Sequence, residues 1–198
     1  MSRRPRQKTS AGRSSVKLLP TAIAGVFVVD TKSFQDSRGA FTRQFCEREL
    51  ADAVGGRHIE QINHSRTATV GAVRGLHFQR PPHAEMKMVR CLKGRVWDVA
   101  VDLRKGSRTF LQWHAQELSA NNSLMLVIPE GCGHGFQVLE PDSELLYLHT
   151  ASYTPSLEGG VRFDDPALNI PWPLPVADLS ERDKEHPLIN KNFQSITV

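Results

Sequence analysis

From about residue 23 the chain alternates short β-prone runs with clusters of turn residues. Ile23 to Asp30 holds Val26, Phe27, Val28 and Val29, an apolar strand ending on an acid. Met88 to Leu92 and Val96 to Leu103 show the period-two alternation of half-buried strands, and the intervening Lys93-Gly94 reads as a hairpin turn. Thr109 to Leu118, Leu124 to Ile128, Gly135 to Leu139 and Leu145 to Tyr153 extend the series. Two helices interrupt it. One is predicted over residues 46–54 (CERELADAV), with Leu50 and Val54 four apart and Gly55 as a stop; the other runs from Asp178 to Glu185.

Lys93-Gly94, Lys105-Gly106, Asn121-Asn122, Glu130-Gly131 and Pro141-Asp142 recur at intervals of about ten residues, the spacing of an all-β sandwich or barrel. Pro-rich residues 166–175 close the sheet region, and neither a repeat nor a linker divides it. The expectation is one mainly β domain over 20–198.

Charge alters the picture only at the start. Arg3, Arg4, Arg6, Lys8, Arg13 and Lys17 face no acid within residues 1–17, while the whole chain carries +4, so the remainder sums to about −2. The pI near 9.1 therefore belongs to the first residues. Residues 1–19, poor in apolar side chains and rich in Ser and Arg, read as a solvated, disordered tail in preference to a nucleic-acid-binding arm. The early arginines lead into Ser/Gly-rich sequence rather than an apolar segment, which argues against a secretory signal. No apolar run approaches the ~20 residues of a membrane span. A cytoplasmic protein with neither membrane nor nucleic acid as partner is expected.

Cys46, Cys91 and Cys132 are odd in number, form no CxxC pair and read as reduced thiols. Cys132 stands two before His134, but in a Gly-rich, turn-like segment this spacing does not join the side chains. No third group to orient the imidazole is evident, and Cys132 is read as a small apolar residue.

Two stretches concentrate chemistry. The first is Arg74-Gly75-Leu76-His77-Phe78-Gln79 with Lys87 and Arg90 following; the second runs from Pro129 to Phe136. Pro129, Gly131 and His134 form a PxGxxH pattern similar to the second half-motif of the cupin barrel, in which a turn delivers an inward-facing histidine. A metal-binding cupin also needs HxH and a nearby glutamate. Here Gln79 follows His77 at the second position and Lys87 stands in the ligand region, where an ammonium opposes a cation. No metal is expected. A histidine can instead remove a proton, an ammonium can stabilise the oxyanion that forms when carbon next to a ketone loses one, and Tyr147 can return one from another face. A carboxylate would hold His77 in one tautomer. These are the parts of an epimerase acting beside a carbonyl.

Other charged and aromatic positions read blandly. Asp98 and Asp102 share one face of a strand and are taken as barrel charge pairs. His58, His64, His83, His114, His149 and His186 are taken as surface or supporting residues, Trp97 and Trp113 as core or dimer contacts, and Glu144 as solvated.

Ordered motifs carry the reading further: DSRGAF (36–41), EQINHS (60–65), VRGLHFQ (73–79), residues 87–110, LSANN (118–122), IPEGCGHGF (128–136), and WP followed by LSERD. From about residue 20 to residue 188 the sequence resembles the dTDP-4-dehydrorhamnose 3,5-epimerase family. The resemblance implies a double-stranded β-helix, the jelly-roll or cupin-like barrel, with a few short helices. It implies a homodimer in which each active site is completed partly by its neighbour. It further implies that His77 is the general base, Asp183 its carboxylate, Tyr147 the general acid and Lys87 the cation near the C4 oxygen. His134 matches a second pocket histidine. Arg38, Gln61, Asn63, Arg74, Tyr153 and Glu158 match positions that contact nucleotide or sugar; arginines suit a pyrophosphate and Tyr153 suits stacking on a base.

The implied reaction inverts C3 and/or C5 of a 4-keto-6-deoxyhexose on a nucleotide diphosphate, with dTDP-4-dehydrorhamnose as the leading product, within dTDP-rhamnose biosynthesis. No cofactor is implied, since no hydride moves and no GxGxxG fingerprint is present. After Arg38-Gly39 the family often shows further aromatics and then an acid that reaches the nucleotide. Ala40, Phe41, Thr42 and Arg43 stand here instead, which leaves a CDP- or other NDP-sugar as an alternative. A nucleotide-sugar ketoisomerase and a non-catalytic sugar-binding barrel are the readings from other classes.

Overall fold

The computed structural model describes residues 16–198. Thirteen strands are named among them: β1 (Val16–Pro20), β2 (Phe27–Thr31), β3 (Ser33–Asp36), β4 (Gly39–Thr42), β5 (Gln61–Thr67), β6 (Val73–Gln79), β7 (Lys87–Lys93), β8 (Arg95–Asp102), β9 (Trp113–Ser119), β10 (Leu124–Ile128), β11 (Cys132–Val138), β12 (Ser143–His149) and β13 (Glu158–Gly160). Eleven form two facing antiparallel sheets, ordered β1-β2-β10-β7-β12-β5 and β13-β6-β11-β8-β9, while β3 and β4 make a separate ribbon. This is a jelly roll. The basic N-terminal segment lies outside the described residues up to 15, but the expected tail boundary is corrected: Val16–Pro20 pairs in full register with β2.

The Lys93-Gly94 hairpin is also corrected. β7 and β8 lie in different sheets, so this turn carries the chain across the sandwich. Gly94 adopts φ 74°, and a Cβ there would collide with Ser143. The turns after β9, β10 and β11 likewise change sheets, whereas Lys105-Gly106 lies between the directly paired β8 and β9. Turn spacing thus located strands without specifying their partners. Alternation along the strands then covers both faces of each sheet. Val89, Leu126, Val96, Ala100 and Phe136 meet between the sheets. Behind the six-stranded sheet, Met88, Met125 and Leu148 pack under Leu50 and Val54. Behind the other, Val99 and Val101 pack under Leu168, Ile170 and Ile196, with Trp97 edge-on to Trp113 and Trp172.

Both helices are shorter than predicted. α1 spans Ala51–Val54, and Leu50 before it supplies no side-chain cap, so residues 47–49 form turns instead. Gly55 in the left-handed region ends it, as expected. α2 spans Glu181–Glu185, because Ser180 takes the N-cap position and accepts the Asp183 N–H, while the Asp178 carbonyl is held by Val73 on β6. Among the described residues no helix is long and apolar enough to cross a membrane.

One contact needs glycine on both sides. A register shift between His134 and Phe136 marks a bulge where β6 passes β11. There Gly75 has φ 120°, and a Cβ on it would lie 2.5 Å from the Gly135 Cα and 2.6 Å from the His134 carbonyl oxygen. Overpacking against immovable backbone plus an unfavourable φ predicts that Gly75→Ala destabilises the fold by about 3 kcal/mol, measurable as a shift in urea midpoint.

Candidate active site

Between the sheets a cavity of about 520 Å³ opens, of a size suited to a small-molecule ligand. It is lined from both walls by side chains at alternate strand positions: Gln61, Asn63 and Ser65 on β5, His134 and Phe136 on β11, Tyr147 and His149 on β12. Arg74 and His77 on β6, Lys87 on β7, Glu158 on β13, Asp183 on α2 and Tyr153 in the loop after β12 complete the predicted set. The structure therefore gathers ten of the eleven predicted residues in one cavity.

Arg38 is the exception. It sits on the β3–β4 ribbon, its side chain 87% exposed and paired with Asp36, where it lines a separate shallow hollow with Phe34 and Phe41. Ala40 borders that same hollow. Arg43 is paired with Glu49 at 2.9 Å and is not among the residues lining either hollow.

On the β6 wall, His77 Nε2 lies 2.6 Å from Asp183 Oδ1, and the second carboxylate oxygen accepts the Gly75 N–H at 3.1 Å. The bulge at Gly75 and the cap at Ser180 thus position the same carboxylate. Burial alone would raise the Asp183 carboxyl; the His77 hydrogen bond and charge, the Gly75 N–H and Arg182 outweigh it and hold it at about 2. With Nε2 directed at a carboxylate, Nδ1 is left as the basic nitrogen of His77. Because Asp183 is depressed below its ordinary 3.8, the stability it contributes is fully present above that value and is lost as pH falls towards 2. Acid unfolding followed by circular dichroism should show a shallower loss of stability over that window for Asp183→Asn than for the natural chain.

The opposite wall carries Tyr147. Its hydroxyl is 3.3 Å from Ser65 Oγ, and its ring stacks on His149 and meets His134 edge-on. Burial pushes the phenol far above its usual range, so it holds its proton at neutral pH. Lys87, nearly buried, reaches Glu85 at 3.2 Å and the His77 carbonyl oxygen at 3.4 Å. Arg90 is buried too. It faces away from the cavity, donates to Thr31 Oγ1 at 2.8 Å and to the Ser123 carbonyl, and burial brings it down to about 10. At the mouth, Tyr153 donates to Glu158 at 2.9 Å, and Glu158 also receives Arg182. Arg74 is exposed in the cavity and makes no ion pair among the described residues.

Several site residues were read otherwise from sequence. Asp98, taken as a barrel charge pair, holds His134 Nε2 at 2.9 Å in full burial, while Asp102 pairs with Arg104. His64 and His149, taken as surface or supporting residues, border the cavity, His64 half exposed and His149 held by Glu85. His186 sits edge-on to His77, its centroid 5.5 Å away. Glu85 and Arg182 carried no signal, since the partners that tie them to the site across the fold, His149 and Glu158, are distant in the chain. Cys132 lies near His134, but its thiol is driven up to about 12 by burial and His134 is engaged by Asp98. Donor atoms of His77, Asp183 and His186 fall within 4.8 Å of one another, a spacing compatible with a metal ion. The Arg182 guanidinium, 3.3 Å from His77 Nε2, opposes a cation there.

An Asp183-held imidazole and a protonated phenol on opposite walls of one jelly-roll cavity suit an isomerase that works at carbon. Comparison with known proteins narrows this. The family model for dTDP-4-dehydrorhamnose 3,5-epimerase matches residues 20–191, and the chain belongs to that family. It is 42% identical over 170 residues to the dTDP-4-dehydrorhamnose 3,5-epimerase of Shigella flexneri, covering 85% of this chain and 93% of that one. The crystal structure of dTDP-4-dehydrorhamnose 3,5-epimerase from Elizabethkingia anophelis superimposes with a TM-score of 0.84 at 39% identity, over 91% of this chain and 100% of that chain. The dTDP-6-deoxy-D-glucose-3,5-epimerase of Legionella pneumophila, solved in complex with dTDP-4-keto-L-rhamnose, gives 0.83 at 35% identity, over 87% and 92%.

Proposed function

We propose that this chain epimerises a nucleotide-linked 4-keto-6-deoxyhexose, with dTDP-4-keto-6-deoxyglucose as substrate, inverting C3 and C5. The observation that carries the reading is the opposition of the Asp183-held His77 on one wall to the protonated Tyr147 on the other. A C4 ketone acidifies both neighbouring carbons. His77 Nδ1 takes the proton from C3, the C–H electrons move into the carbonyl, and the resulting oxyanion faces the Lys87 ammonium. The electrons then return to C3, which takes its new proton from the Tyr147 hydroxyl on the opposite face. Exchange with solvent resets His77 and Tyr147, and the same cycle runs at C5. Nothing is oxidised or reduced overall, so the chemistry requires no redox cofactor. Exposed Arg74 and Tyr153 suit the diphosphate and the base of the nucleotide. The cytoplasm, where nucleotide sugars are made, is the expected compartment.

Incubation in D2O with dTDP-4-keto-6-deoxyglucose tests this: deuterium should enter at both C3 and C5. Exchange at one carbon alone would limit the enzyme to that centre. Exchange only with the CDP-sugar would shift the nucleotide, and none with either would overturn catalysis in favour of a binding barrel.

The reading includes a homodimer, because Arg38 stands outside its own chain's cavity on a separate ribbon with its side chain exposed, where a second copy can receive it. If it completes the partner's site, mixing inactive Arg38→Ala and His77→Ala chains should restore about a quarter of the natural activity, since half the dimers carry one intact site. No recovery on mixing would assign Arg38 to its own chain's site, and a fully active Arg38→Ala chain would place it outside the reaction.

A further inference from the structure

The cavity wall opposite His77 contains a buried carboxylate–imidazole pair that the reaction above does not use. Glu85 Oε2 lies 2.7 Å from His149 Nδ1, and Glu85 Oε1 lies 3.2 Å from the Lys87 ammonium. All three side chains are close to fully buried. Burial would raise the Glu85 carboxyl, but the His149 hydrogen bond and the Lys87 charge outweigh it and keep it ionised.

Behind His149 the hydrogen bonds run in one direction, and a backbone group sets it. The Tyr153 N–H can only donate, and it donates to Gln61 Oε1 at 2.9 Å. Gln61 must therefore present its amide nitrogen to Asn63 Oδ1, at 3.1 Å. Asn63 in turn presents its nitrogen to His149 Nε2, at 3.3 Å. That ring nitrogen must accept, so the proton of a neutral His149 sits on Nδ1, where it is donated to Glu85. Each link determines the next, from the loop at the cavity mouth to the lysine.

We propose that Glu85 and His149 are positioning residues for Lys87: the chain of hydrogen bonds from Tyr153 fixes His149 as its Nδ1–H tautomer, and His149 holds Glu85 where it anchors the ammonium. The inference rests on the reading of Lys87 as the cation at the C4 oxygen. It makes the lysine's placement depend on Gln61, Asn63 and Tyr153, residues at the nucleotide side of the cavity. Without Glu85 the ammonium is free to swing on its four-carbon stem; without an acceptor and a donor at position 149, both Asn63 and Glu85 lose a partner.

The test combines two variants with a spectroscopic readout on the natural chain. His149→Leu removes both hydrogen bonds and should lower kcat for epimerisation by about 10- to 100-fold, with a smaller effect on KM. His149→Gln can accept from Asn63 through its oxygen and donate to Glu85 through its nitrogen, and should recover kcat to within about fivefold of the natural enzyme. Histidine-selective 15N NMR, with the His149 signals assigned by their loss in His149→Gln, should show the Nδ1–H tautomer at neutral pH. Equal kcat in the Leu and Gln variants, or an Nε2–H tautomer, would overturn the inference. An inactive natural enzyme would sink the functional reading instead, and the tautomer would still decide whether the chain of hydrogen bonds exists.

Discussion

His77→Asn should reduce deuterium incorporation at C3 and C5 together by about three orders of magnitude, the scale of losing a positioned general base. Asparagine keeps a polar group of similar reach but cannot take a proton, so a loss confined to chemistry should appear in kcat while the ligand remains bound. The coupling of both carbons is the informative part. A single base serving both positions loses both when it is replaced; retention of exchange at C5 would show that a second group works there. Asp183→Asn should fall short of this effect. It removes the charge that steadies the imidazolium and holds its tautomer, but leaves the imidazole itself as a cavity-lining base. Rapid mass spectrometry of substrate recovered from D2O measures all three enzymes on one scale. A His77→Asn enzyme within tenfold of the natural one would remove His77 from the proton-transfer step.

Much of this site could be read before the fold was known, for a definite reason. Motif residues fall at alternate positions on strands, so Gln61 and Asn63, two apart on β5, needed only the pleat to face the same way. The prediction of one β domain rested on the same alternation. What remained hidden was pairing. Lys93-Gly94 has the composition of a hairpin, yet φ at Gly94 and the closeness of Ser143 direct the chain across to the other sheet. Local turn chemistry says that the chain reverses; the hydrophobic faces of the whole sandwich decide where it goes. Partnership between distant side chains was hidden for the same reason. Asp98 lies 36 residues from His134, and Glu85 lies 64 from His149, so no local spacing announces either bond. Asp183 entered through family resemblance rather than from its surroundings in sequence. The ribbon that carries Arg38 shows the limit on a single chain: its motif groups it with the cavity residues, while the fold places it outside this chain's own cavity.

Tyr147→Phe should abolish inversion while leaving proton exchange. The phenylalanine ring preserves the stacking on His149 and the edge contact with His134, and removes only a hydroxyl that touches Ser65. His77, Asp183 and Lys87 remain, so the enolate should still form. With no donor on the far face, His77 returns a solvent-exchanged proton to the face from which it came. The recovered sugar would then carry deuterium with its original configuration, and the yield of inverted product would fall by about 10²- to 10⁴-fold. Burial keeps the phenol protonated across the working range, which suits it to the role of acid and not to that of a second base. The two alternatives separate cleanly by NMR of the product. Loss of exchange together with inversion would make Tyr147 necessary for removing the proton; inversion at the natural rate would assign the donor to another group or to water.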